Sequence, residues 1–232
     1  CDACKLNKEK NKIDWEDREK QLIDLCNKFR KNDGTYDCIV PGSGGKDSFF
    51  TAHILKYKYK MNPLILTWPP ILYTDYGLKN YNNWIDVGGF DALVVRPNGK
   101  VMKELTKLSI FNLLHPFQTF ILGQKNVAPK IASKFNIKLI FYGENETEYG
   151  NPIADNAKSL RDKSYHTLKN LEDSYIAGIP YKELLENYDV TKSDLKVFLP
   201  LEASEYEKTN IEGQSVSPSY PGDTAFNISP FS

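Results

Sequence analysis

Residues 36–59 set a short apolar run, a glycine-rich turn and a helical pattern in immediate succession. Tyr36-Asp37-Cys38-Ile39-Val40 has the length and composition of a buried strand. Pro41-Gly42-Ser43-Gly44-Gly45 cannot extend it, and its glycines let the backbone turn sharply. Residues 47–59 then carry a helical pattern. A strand that passes so abruptly into a helix is the first half of a βα unit, which belongs to a parallel, layered α/β fold. The turn also has chemical character. Backbone N–H groups at a helix start hold anions, and Ser43, Lys46 and Ser48 add hydroxyls and a positive charge. The loop is therefore a phosphate cradle. It is not a Walker A loop, because Val40 stands where the first glycine belongs and Asp47 follows the lysine. Nor is it a dinucleotide fingerprint, since the sixth position counted from Gly42 is Asp47.

The rest of the chain continues the alternation. Residues 14–29 predict a helix with Trp15, Leu22, Ile23, Leu25, Cys26 and Phe29 on one face. A second strand spans 63–68 and stops at Pro69-Pro70. A helix over 76–87 ends at Gly88-Gly89, and a third strand over 91–95 closes on the turn Arg96-Pro97-Asn98-Gly99. Helices follow over 101–114 and 117–135, the second with a break or kink at Pro129. A fourth strand covers 138–142 and ends at Gly143. Ligands of such sheets bind beyond the carboxyl ends of the strands, so the residues that follow Val40, Trp68, Val95 and Tyr142 are the ones to inspect.

Composition narrows the class. The 232 residues include 30 Lys+Arg and 30 Asp+Glu, a formal net charge of zero. That removes the bulk electrostatic case for a nucleic-acid partner. Hydrophobic residues at 41% and aromatics at 12% supply a core. No run of 18 apolar residues exists to span a bilayer, no signal peptide is visible, and the expected location is the cytoplasm. Residues 213–232 differ from what precedes them, ten of the 20 being Gly, Ser or Pro. The expected organisation is residues 1–34 as a Cys-x-x-Cys segment plus helix, 35–212 as a nucleotide-binding α/β domain, and 213–232 as a disordered or non-native tail.

Ser43-Gly44-Gly45-Lys46-Asp47-Ser48, between a strand and a helix, resembles the PP-loop of the ATP pyrophosphatases, whose adenine nucleotide alpha hydrolase-like fold is a parallel sheet with flanking helices. Further segments resemble the N-acetyl sugar amidotransferase family. They are residues 36–48, Asn62-Pro63-Leu64-Ile65-Leu66-Thr67-Trp68, Leu114-His115-Pro116-Phe117-Gln118, Gly123-Gln124-Lys125-Asn126, and Phe141-Tyr142-Gly143-Glu144-Asn145 with Glu148-Tyr149-Gly150-Asn151. The resemblance runs collinearly over about residues 1–212. It implies an enzyme that uses ATP and Mg²⁺ to adenylate a sugar N-acetyl group and then replaces its oxygen with ammonia. The product is an acetamidino sugar of O-antigen or pseudaminic-acid type, and the ammonia comes from a separate glutaminase partner.

On this reading Gly42, Ser43, Gly44, Gly45, Lys46, Asp47, Ser48, Thr67, Gly123, Lys125 and Gly143 bind the nucleotide. Lys46, Asp47 and Glu144 carry the catalysis. Preorganised N–H donors and Lys46 offset the charge on the leaving pyrophosphate. Asp47 orients the loop or helps hold Mg²⁺, or else is an acid placed favourably at a helix start. Glu144, Glu146 and Glu148 lie just past a strand's carboxyl end and suit Mg²⁺, an amide N–H or ammonia, or form a solvated acidic loop. Lys125 is expected to begin a helix aimed at phosphates, or to be a surface lysine. Trp68 is read first as a core residue and otherwise as a stacking surface for a base or sugar. His115 is either catalytic or a loop cap.

Cys1-x-x-Cys4 is half of a four-cysteine zinc site, and the resemblance implies that the other half lies upstream. Zn²⁺ therefore has only two ligands in the sequence. Cys26, on an apolar helix face, and Cys38, inside a strand, are expected in the core. Two other functions are compatible with the loop. A PP-loop tRNA thiolase would need a basic surface and a cysteine near the site, and a nucleotide-binding module would hold ATP without chemistry.

Overall fold

The computed structural model describes residues 14–143, 167–168, 170–202, 204 and 214–216. The first helix, α1 (Trp15–Phe29), starts where Asp14 accepts a hydrogen bond from the Asp17 N–H at 3.0 Å, with Glu16 and Asp17 favourably placed in its first turn. Then come β1 (Cys38–Pro41) and α2 (Lys46–His53), whose last turn widens into a π-helix over Ile54–Lys58. The chain continues through β2 (Pro63–Thr67), α3 (Asp75–Asp86), β3 (Asp91–Val94), α4 (Gly99–Leu113), α5 (Gln118–Lys134) and β4 (Leu139–Phe141). Thr74 caps α3 and Asn98 caps α4 through side-chain oxygens. Pro129 does not break its helix. It lies inside α5, which runs unbroken past it.

β1 to β4 form a parallel sheet, and β1 lies between β2 and β4 in register Ile39↔Leu64 and Ile39↔Ile140. Fold class and strand positions thus agree with the sequence. The spatial order is β3-β2-β1-β4, so the order reverses between β1 and β4. Beyond β4 the sheet gains a parallel strand from Gln214–Val216, three residues of the segment expected to be a tail. The short strands Thr167–Leu168 (β5), Tyr175–Ile176 (β6) and Ile179–Pro180 (β7), helices α6 (Tyr181–Asn187) and α7 (Lys192–Leu195), and strand Leu201–Glu202 (β8) precede that last strand, β9.

Side chains alternate across the strands, which yields two cores. Ile39, Leu64, Leu66 and Ile140 face α4 to α7, where Val101, Leu105, Ala128, Leu184 and Leu195 meet them. Cys38, Val40, Ile65, Leu139 and Phe141 face α1 to α3, against Cys26, Leu55 and Trp84. Buried Asp37 locks the entry to β1 by accepting hydrogen bonds from the Lys31 and Asn62 N–H groups at 2.7 and 2.8 Å. Among the described residues, no helix is long and apolar enough to cross a membrane.

Cys26 and Cys38 are core residues, as expected, at 1% and 0% exposure. Burial pushes the Cys26 thiol from 9.0 up to about 11 and the Cys38 thiol well above 9.0. The sign of the pH effect follows. In the unfolded chain both thiols lose protons near 9, whereas the folded chain retains them, so their stabilisation is complete below that pH and fades as pH rises toward 11. We expect denaturation midpoints to fall through this alkaline window and a Cys26→Ala/Cys38→Ala variant to fall less steeply. Equal slopes in urea melts of the two proteins would exclude this contribution.

Candidate active site

The glycine loop crosses the carboxyl edge of the sheet at the point where strand order reverses, the position at which open α/β sheets bind ligands. Three glycines fix its path. Gly42 packs so closely that a Cβ there would lie 2.4 Å from Ser48 Cβ and 2.7 Å from the Trp84 ring, and its N–H donates to the Leu66 carbonyl at 3.0 Å. Gly44 has φ +91°, a left-handed conformation, and a Cβ there would be 2.8 Å from Tyr81 Cα. Gly143, just past β4, would press a Cβ to 2.7–2.8 Å from the backbone of Asp47 and Ser48. The end of β4 and the start of α2 can approach this closely only because residue 143 has no side chain.

Gly45 differs from these. A Cβ there would meet nothing within 4 Å, and the residue is the uncapped N-cap of α2 at φ −69°. The side above Gly45 is therefore open, next to first-turn N–H groups that no helix satisfies internally. Ser43 is exposed at the same edge. Ser48 is buried and spends its hydroxyl on the Gly45 carbonyl at 3.0 Å, so it braces the loop from below. Lys46 Nζ sits 2.7 Å from Asp47 Oδ1, with the side chains 90% and 50% exposed. A pair so exposed contributes little stability.

The loop residues and Gly143 thus converge. Thr67 ends the neighbouring strand β2, fully buried, with its hydroxyl unpartnered. Gly123 and Lys125 come from a different element from the loop. They lie within α5, and Lys125, expected to begin a helix, falls in its middle. Gly123 is covered by the indole of Trp68, the nearest ring carbon being 2.1 Å from where a Cβ would stand. Trp68 is 5% exposed and meets Phe198 edge-on at 5.9 Å, the core position expected for it. His115 caps its turn, Nδ1 accepting from the Phe117 N–H at 3.2 Å. Glu144, Glu146, Glu148, Cys1 and Cys4 lie outside the described residues. Among the described residues there is no cluster of three or more His, Cys, Asp or Glu.

The sequence reading missed the aromatic wall beside the loop. Tyr81 packs under Gly44, and Tyr73 lies against Tyr81 with ring centroids 5.9 Å apart. Burial and the neighbouring Tyr81 push the Tyr73 phenol upward, and Arg96, from the turn after β3, partly offsets this. The signal available in the sequence was the position of Tyr73 and Arg96 just past strands β2 and β3.

No protein-family model matches the chain. Over 50 residues it is 40% identical to an uncharacterized protein of Methanocaldococcus jannaschii, a match spanning 22% of this chain and 18% of that protein. Among solved structures it is similar to the NH3-dependent NAD synthetase from Campylobacter jejuni in complex with the nitrate ion, with TM-score 0.41 and 17% identity over 59% of each chain. It is also similar to a predicted subunit of tRNA methyltransferase from Methanocaldococcus jannaschii, with TM-score 0.37 and 18% identity over 78% of this chain and 65% of that one. The chain spans less than two thirds of the length of each of these three proteins.

Proposed function

We propose that this chain is an AMP-forming, ATP-using enzyme of the PP-loop type, acting as an N-acetyl sugar amidotransferase. The observation that carries the ATP-binding part is the loop at the switch point. Gly42, Gly44 and Gly143 are packed shut on the protein side while Gly45 and the α2 N-terminus stay open, so the residues present fit a polyphosphate. The sugar and the ammonia rest on the family resemblance of the segments quoted above.

In this reading ATP supplies an adenylyl group to the amide oxygen, pyrophosphate leaves, ammonia adds to the carbon, and AMP departs with the former amide oxygen. The chain's own residues do the following. The N–H groups of Lys46 and Asp47 and the Ser43 hydroxyl hold the phosphates in place before reaction, so little reorganisation is needed as charge develops. Lys46 leaves Asp47 to neutralise the departing pyrophosphate. Asp47 would then help to hold Mg²⁺, an ion that usually keeps phosphate oxygens and waters among its ligands. Tyr81 and Trp84 keep the loop from sagging onto the sheet. The buried Cys26 and Cys38 lie in the core and do not reach this edge, which counts against a thiolase acting through them.

The test is isotopic. An N-acetyl sugar labelled with ¹⁸O in the amide carbonyl, incubated with the chain, ATP, Mg²⁺ and ammonium salt, should give AMP bearing the label, plus pyrophosphate. ADP and phosphate as products, or unlabelled AMP, would remove the assignment. Ser43→Ala should weaken ATP binding about tenfold, the loss of one charge-assisted hydrogen bond of about 1.5 kcal/mol. Equilibrium dialysis showing wild-type affinity would take Ser43 out of the site.

A further inference from the structure

The corner between α4 and α5 carries apolar side chains into solvent. Residues 110–117 are all exposed, and Ile110, Phe111, Leu113, Leu114, Phe117 and Ile121 are exposed by between 42% and 87%. These side chains adjoin one another. Ile110 and Leu114 stand one helical turn apart, as do Phe117 and Ile121, and only residues 114–117 join the two helices. The corner is tied down at its base. Asn112 Nδ2 donates to the Ala177 carbonyl at 3.1 Å, and the Ala177 N–H donates to Gln118 Oε1 at 3.0 Å. The Leu114 N–H donates to the Ile110 carbonyl at 3.0 Å. Leu114 itself has φ +53°, the left-handed conformation in which a helix commonly ends on glycine. A leucine there is strained, and its side chain is 87% exposed. The fold of one chain gains nothing from that side chain, and strain kept at such a place points to a contact made elsewhere. No Lys, Arg, Asp or Glu occurs between Lys107 and Lys125, in a chain that is 26% charged.

We propose that this α4–α5 corner is a dimer interface, in which the corner of one chain packs on the same corner of a second copy about a two-fold axis. The area suits that occupant. The six side chains expose about 600 Å² of apolar surface, where a monomer's largest patch is about 300–600 Å² and each partner of a standard interface buries about 800 Å². Asn112, His115 and Pro116, exposed among them, supply the polar remainder. The charge pattern suits it as well. Charged groups are what select a differing partner and exclude wrong ones, and this surface has none. An uncharged apolar patch is complementary to itself, as a two-fold interface requires, and interfaces between identical chains are the more apolar class. A membrane is the poorer fit, because apolar surfaces that bind lipid are rimmed with free basic residues. Here Lys107 Nζ lies 3.9 Å from Glu104, and Lys125 is half-buried. Gly123, six residues after Phe117, packs on Trp68, the residue that follows β2. The corner therefore stands at the end of α5 nearest the carboxyl edge of the sheet.

Sedimentation of the full chain over a dilution series provides the test. The wild type should move from twice 26.5 kDa to 26.5 kDa on dilution. Leu114→Gly should raise the dissociation constant about a hundredfold or more, because each dimer loses two buried leucines. Glycine suits φ +53°, so this variant keeps its fold, and its circular dichroism should match the wild type. Phe117→Asp should leave only the monomer at every concentration. Val87→Asp, which changes an apolar residue 82% exposed at the end of α3, should dimerise as the wild type does. A wild type that stays at 26.5 kDa throughout overturns the proposal, and this is the result if a different protein, a membrane or another stretch of this chain covers the corner. A dimer undiminished in both corner variants overturns it too, since the interface then lies elsewhere. Equal loss in Val87→Asp would mean unspecific apolar association and has the same consequence. None of these readings depends on turnover or on the amidotransferase assignment.

Discussion

Gly44→Ala will abolish measurable ATP binding, and Gly45→Ala will lower it about tenfold without harming the fold. The two neighbours face opposite constraints. At Gly44 the backbone has φ +91°, which costs an L-residue about 1–2 kcal/mol. The new methyl would also lie 2.8 Å from Tyr81 Cα, a backbone atom of α3 that cannot swing aside. The loop must therefore leave its path, and the donors over α2 move with it. A hundredfold loss of affinity corresponds to about 3 kcal/mol, within what those two penalties remove. At Gly45 nothing in the protein lies within 4 Å of the new methyl, and φ −69° suits alanine. Only a ligand can object to it. Calorimetric titration with ATP and Mg²⁺, paired with thermal melts, separates the two cases. Wild-type ATP affinity in Gly45→Ala would mean that the phosphates do not pass over the loop, and the proposed function would lose its main support.

The largest effect on stability is expected at Gly123→Ala. Its Cβ would fall 2.1, 2.4 and 2.6 Å from three atoms of the Trp68 ring system. The ring is rigid and buried, and Phe198 meets it edge-on. α5 must then move off the sheet, or the indole must rotate out of its packing. Overpacking of this kind costs typically about 1–3 kcal/mol, and the rigidity of the buried ring puts this case at the upper end. For a chain of this size that lowers the melting temperature by on the order of 5–10 °C. Trp68→Phe removes the six-membered half of the clash, so the double variant should melt higher than the sum of the singles implies. A Gly123→Ala protein that melts with the wild type would show that α5 and Trp68 are not in contact.

Much of this was legible in the chain before any coordinates. The apolar runs around Ile39, Ile65 and Ile140 have the length of buried parallel strands, and each ends in a turn that the local residues require, so strand and helix positions could be read within two or three residues. The turn from Gly42 to Ser48 was equally readable, because a glycine turn at a helix start is built from contiguous backbone and needs no partner far along the sequence. Pro129 does not start a new helix, for a local reason. A proline removes one N–H from a helix but does not end it when burial on both sides, from Val127 to Ala132, holds the helix in place.

Residues whose role depends on two distant segments were not legible. Gly123 gives no sign in sequence of what it touches, yet α5 packs on the face of the sheet away from α2, and Gly123 lies against Trp68. Tyr81 is an ordinary helical tyrosine until the sheet brings α3 under Gly44. The sequence by itself determined the alternation of strand and helix, because periodicity and turn chemistry act over a few residues. It also determined which loop has open N–H groups, because glycine's freedom is a local property. Only the tertiary structure decided which glycine faces open space and which faces a wall. At Gly42, Gly44, Gly123 and Gly143 the deciding atom belongs to a residue 6 to 96 positions away. Contacts across such separations are set by how the sheet orders its strands as β3-β2-β1-β4 and by which face each helix covers.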